Sequence, residues 1–141
     1  MLAVFAHKME VCGLTLHHNT VASSGNDGRI SIWDLRNSKI YHSLKLFSGG
    51  VKAIQWCPWK VGQLVAAGGI KDHKVILWNS NTDCVERTID AVSQVTAIRL
   101  REGKREMVST HGRGVALIWD MEKGKYKRVL KGHKGRVLGL A

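Results

Sequence analysis

The chain has 141 residues, which suits one domain, and no apolar run approaches the length of a membrane span. Its net charge of +11 admits an acidic protein or nucleic-acid partner. The excess is concentrated late: residues 99–141 hold twelve Lys/Arg against four Asp/Glu. Lysines on edge strands also discourage sheet aggregation, so much of this charge reads as solvated strand and loop surface. Cys12, Cys57 and Cys84 are odd in number and lack C-x-x-C spacing, which argues against a disulfide or zinc framework. They read as thiols in a reducing compartment, and a soluble protein of nucleus and cytoplasm is expected.

In chain order, short apolar or alternating runs cut by glycine and polar turns predict strands rather than helices. They fall at 2–5, 11–16, 20–24, 29–33 and 40–45, with the hairpin turn Gly25-Asn26-Asp27-Gly28 between the third and fourth. The order repeats at 51–57, 63–67, 74–78 and 84–88. It repeats again at 94–100, 106–110, 115–119 and 126–130, and a last strand begins at 136. Trp33, Trp78 and Trp119 keep step with this order, 45 and 41 residues apart. Val11, Val51, Val95 and Val137 keep the same phase.

A period of this length with Trp-Asp endings is the mark of WD repeats, which build β-propellers. The expected fold is all-β, a WD-repeat propeller fragment. Three four-stranded blades are expected at 11–46, 51–89 and 94–131, with orphan edge strands at 2–5 and 136–141. Inner strands packed on both faces should be apolar on both sides, as in VILW at 75–78. Three blades fall short of closing a ring. The chain is therefore expected to be a piece of a longer protein, a truncated product, or a chain that needs partners.

WD repeats often contain a buried relay of His, Ser/Thr, Asp and Trp. Counting from Trp33 and Val11 gives His7, Ser24, Asp27 and Trp33 for the first blade. The second keeps Asp72 and Trp78, with Phe47 at the His position and Gly69 at the Ser position. The third keeps Trp119, with Ala91 and Arg113 at the His and Asp positions. His133 opens the next repeat. A Ser–His–Asp set invites a catalytic reading, but these positions suit a buried structural network in which every member must be satisfied. No zinc-protease motif, P-loop or dinucleotide-binding glycine motif occurs, so no cofactor, no metal and no enzyme activity are expected.

The repeats carry more specific segments: EVCGL at 10–14 with ASSGND at 22–27, VKAIQWCPW at 51–59, SQV at 93–95 with EMVSTHG at 106–112, and KGHKGRVL at 131–138. Together they resemble the fizzy and fizzy-related proteins, the WD-repeat activators of the anaphase-promoting complex. The resemblance implies three middle blades of a seven-bladed propeller. It implies the ligase and degradation-motif substrates as partners, with part of the KEN-motif site on the top face. The destruction-box groove and the ligase-docking tails would lie outside this stretch. By the same resemblance, top-face contacts are expected from Asn26, Asp27, Ser93, Gln94, His111 and Arg113. Two top-face segments, 68–73 and 110–115, are shorter than the family's pattern, so weakened or altered peptide recognition is expected. The alternative is a basic WD scaffold that binds an acidic protein or nucleic acid. Aromatic residues are few and strand-bound, which disfavours nucleic acid.

Overall fold

The computed structural model describes residues 6–132 and 134–135. The strands expected at 2–5 and 136–141, and His133, lie outside the described residues. The described residues form twelve strands: β1 (Val11–His17), β2 (Thr20–Gly25), β3 (Arg29–Asp34), β4 (Lys39–Lys45), β5 (Val51–Trp56), β6 (Gln63–Gly68), β7 (Lys74–Asn79), β8 (Cys84–Asp90), β9 (Val95–Arg101), β10 (Glu106–His111), β11 (Val115–Asp120) and β12 (Lys125–Lys131). They form three antiparallel sheets, each of four strands in sequence order. The described residues are all-β, a WD-repeat propeller fragment of three blades, and no helix among them is long and apolar enough to cross a membrane.

The blades stack through two apolar seams. Ala22, Ile30 and Ile32 of the first blade meet Ile54, Leu64, Ile76 and Trp78 of the second. Val65, Val75 and Leu77, of opposite parity on the same second-blade strands, meet Ile98, Met107 and Trp119 of the third. Strand alternation sends successive side chains to opposite faces, so one sheet feeds both seams. Hence β6 is buried at every position, and β7 is buried after Lys74. The outer strand β12 is exposed throughout.

Each blade repeats the same irregularity. The outer ladder shifts register immediately before the tryptophan, at Ile32/Trp33, Leu77/Trp78 and Ile118/Trp119. A bulge of this kind re-aims a side chain, and here it precedes the indole each time. The ladder places Trp33 opposite Val21, Trp78 opposite Leu64 and Trp119 opposite Met107. In the two seams, the tryptophan face of a blade packs against the blade before it.

Candidate functional site

The polar chemistry gathers at one end of the blades, where the turns β2–β3, β6–β7 and β10–β11 meet the segments that enter β1, β5 and β9. In the first blade the Trp33 indole N–H donates to Ser23 Oγ at 3.0 Å. Ser23 Oγ lies 2.8 Å from His7 Nε2, and His7 Nδ1 lies 3.1 Å from Asp27 Oδ1. Asp27 also accepts the backbone N–H groups of Lys8 and Arg29. Burial alone would raise the Asp27 pKa; the hydrogen bonds from Lys8, His7 and Arg29 outweigh it and hold the carboxyl below its ordinary value. An arrangement that satisfies every proton runs indole N–H to Ser23, hydroxyl to His7 Nε2, and Nδ1–H to the carboxylate.

The relay serine is thus Ser23, and the expectation of Ser24 is corrected. Ser24 points to the opposite face and donates to Val51 O across the seam at 3.1 Å. Alternation explains the difference, since a one-residue slip along a strand changes face. The second blade also differs from the expectation of Gly69. Leu64 pairs with Trp78 as Val21 pairs with Trp33, so two residues on, Ala66 holds the serine position and Gly68 the position of Gly25. The turn to β7 is two residues longer here than in the other blades, which defeats counting back from Asp72. With no hydroxyl available, the Trp78 indole N–H donates to Asp83 Oδ1 at 3.2 Å. Phe47 fills the His place, with the Lys74 ammonium 5.2 Å over its ring. Asp72 still clasps the entering loop through Ser48 N–H, Ser48 Oγ and Gly49 N–H. Burial opposes these bonds, yet they keep the Asp72 carboxyl below its ordinary pKa.

The third blade rebuilds the relay with a different histidine. Trp119 donates to Ser109 Oγ at 2.7 Å, Ser109 Oγ lies 2.7 Å from His111 Nε2, and His111 Nδ1 lies 2.9 Å from Ser93 Oγ. Ladder pairing puts His111 opposite Val95 as Gly25 is opposite Val11. The imidazole therefore enters from the strand, whereas His7 enters from the loop. The two routes exclude each other. A Cβ on Gly25 would meet His7 Nδ1 at 2.7 Å and Asp27 Oδ1 at 2.9 Å. In the third blade the loop position is Ala91, fully buried and small. Sequence spacing missed this relay because it sought histidine only before the inner strand. The usable signal was Ser109 and His111 standing ten and eight residues before Trp119, as Ser23 and Gly25 stand before Trp33.

Of the expected peptide contacts, four are engaged within the protein. Asp27 belongs to the first relay. His111 is 1% exposed and, with Ser93, belongs to the third, so the expectation that it offers a free top-face contact is corrected. Asn26 donates to Glu10 Oε2 and accepts from the Lys52 ammonium and the Cys12 thiol. Gln94 and Arg113 line a cleft of about 240 Å³ between the second and third blades, together with Ile70 and His73.

Burial pushes the His111 pKa down from its ordinary 6.5, against the raising effect of hydrogen bonds at Ser93 and Gln94. The unfolded chain then takes up the proton first. Stability is complete above about pH 6.5 and falls as pH drops below it. Denaturant unfolding of protein containing this chain at pH 7.5 and 5.5 is expected to show a larger loss for the wild type than for His111→Gln. Equal losses would defeat the assignment of a neutral buried imidazole.

Among the described residues no cluster of His, Cys, Asp and Glu is arranged to hold a metal ion. The Ser–His–Asp group of the first blade has both its imidazole and its carboxylate side chains buried, and its serine hydroxyl is bonded to the indole. What the arrangement does chemically is tie loop, strand and tryptophan together beneath a polar rim.

A family model for the WD domain, G-beta repeat matches residues 1–34. The chain is 34% identical over 142 residues to the anaphase-promoting complex subunit cdc20 of Dictyostelium discoideum, covering 96% of this chain and 28% of that protein. It is 34% identical over 139 residues to Protein FIZZY-RELATED 2 of Arabidopsis thaliana, covering 96% of this chain and 29% of that protein. Among solved structures, a crystal structure of the mitotic checkpoint complex matches with a TM-score of 0.87 and 35% identity, over 94% of this chain and 42% of that one. The chain thus spans less than a third of the length of either relative. The two relatives and the solved structure match along nearly the whole chain, which is a partial WD-repeat propeller similar throughout to the cdc20 and FIZZY-RELATED proteins.

Proposed function

We propose that this stretch belongs to a non-enzymatic activator of the anaphase-promoting complex, working in nucleus and cytoplasm, whose top face helps to hold short degradation motifs of substrates. The observation that carries this reading is likeness over nearly the whole chain to relatives of that kind, one of them named as a subunit of that complex. The cleft lined by Gln94 and Arg113 supplies an amide and a cation beside apolar Ile70. That set suits a peptide with a carboxylate and an amide. Recognition is expected to be weak, because Asn26, Asp27, Ser93 and His111 spend their polar groups internally.

The test is titration of a fluorescent KEN-motif peptide into the full-length protein that contains this chain. Weak saturable binding, lowered about tenfold by Gln94→Ala, is expected. Affinity equal to that of ordinary family members would overturn the weakening. No binding, with no co-purifying ligase, would overturn the activator reading. Binding to nucleic acid that collapses with added salt would favour the basic-scaffold alternative.

A further inference from the structure

The rearranged relay of the third blade has a consequence on its outer side. In the first two blades an aspartate at the turn before the third strand clasps the entering loop through the N–H of Lys8 or Ser48. In the third blade that turn carries Arg113, and the loop loses its acceptor. The equivalent amide, Val92 N–H, goes instead to Asp90 Oδ1 at 2.8 Å. Val92 thereby adopts φ = +69°, a conformation that a β-branched residue takes only under strain. Its isopropyl group stands 67% exposed.

That group stands at the mouth of a trench of about 230 Å³, walled by Val115, Leu117, Tyr126 and Val129 and reached by Arg113. Tyr126 and Val129 are half-exposed on β12. Lys131, exposed, pairs with Val115 at the upper end. The counterpart place in the second blade is filled by Phe47 under the Lys74 ammonium; in the third blade Ala91 is small and His111 takes that place from the strand. Every wall residue belongs to the third blade or the segment entering it, on the face where Leu117 and Trp119 pack against the second blade.

We propose that this trench docks an acidic peptide segment of a partner protein that carries a large apolar side chain. The apolar anchor enters between Val92, Tyr126 and Val129, and the flanking carboxylates meet Arg113 and Lys131. Charge complementarity favours this occupant. Among the described residues no carboxylate bridges Arg113 or Lys131 at the rim, in a stretch where Lys/Arg outnumber Asp/Glu twelve to four. A strained, exposed valine held over an apolar hollow is the kind of local cost that binding offsets. The proposal shares Arg113 with the top-face cleft and differs from it in its apolar walls, Tyr126 and Val129 of β12 and Val115 and Leu117 of β11.

The test uses a fluorescein-labelled peptide with a Phe-Leu pair between two Glu-Asp-Glu runs, titrated into the full-length protein that contains this chain. Saturable binding is expected, weakened about tenfold by Val129→Glu and by Arg113→Glu and retained in the top-cleft variant Gln94→Ala. Val129 is half-exposed on the outermost strand, and Val129→Thr, a milder change at the same place, is expected to weaken binding less. Absence of saturable binding would overturn the proposal, as would unchanged affinity in Val129→Glu. Equal binding of a peptide with Gly-Ser replacing Phe-Leu would overturn it too, by showing an attraction of charge alone.

Discussion

Ser23→Ala and Ser109→Ala are each expected to lower unfolding free energy by about 2–3 kcal/mol, because each strands two buried polar groups. The indole N–H of Trp33 or Trp119 loses its acceptor, and the imidazole of His7 or His111 loses its donor. Ser24→Ala is expected to cost about 1 kcal/mol, the worth of one hydroxyl bond to a carbonyl. Among the described residues Ser24 Oγ bonds only to Val51 O, and that carbonyl retains its place in the backbone. Urea unfolding of protein containing this chain reads all three. A loss in Ser24→Ala equal to or above that in Ser23→Ala would show that the relay runs through the other serine.

The second large effect concerns the space that the imidazoles share. Gly25→His is expected to destabilise by about 1–3 kcal/mol or more, the usual range for overpacking. The added Cβ alone would meet two side-chain atoms under 3 Å away, on His7 and Asp27. Adding His7→Ala should recover most of the loss, because it vacates the same volume and recreates the third-blade arrangement, with alanine (Ala91) at the loop position and histidine (His111) at the strand position. The two changes are then strongly non-additive, as contacting residues are. A double variant no more stable than Gly25→His alone would show that the two histidine routes are not interchangeable.

Much of the architecture is legible in the sequence. The strand order, the three four-stranded sheets and the double burial of the second blade followed from alternation, glycine-bearing turns and tryptophan phase. Strand boundaries differ from the expected ones by a residue or two at the ends, as at β8, which runs on to Asp90. The relay was less legible, for two physical reasons. Parity along a strand flips with each residue, so an offset wrong by one moved the serine from the tryptophan face to the opposite seam. The long β6–β7 turn then broke the count in the second blade, where only ladder pairing identifies Ala66. The third relay was hidden because a histidine can reach the same hollow from the strand or from the loop, and spacing rules encode only one route. His111 ends β10 beside a turn, a place that in sequence reads as surface; in the fold it pairs with Val95 and is buried.

The central blade, walled on both sides, also sets a clock. An amide exchanges with solvent when its hydrogen bond opens, and the opening energy rises with the burial around it. Strands β6 and β7 lie inside their sheet and between two seams. Their amides should exchange slowest, and those of the wholly exposed β12 fastest among the strands. The molecule would then loosen from its outer rims inward. The trench bounded by β12 would stand on the part that breathes most often, while the second-blade Asp72 clasp would hang from the part that breathes least.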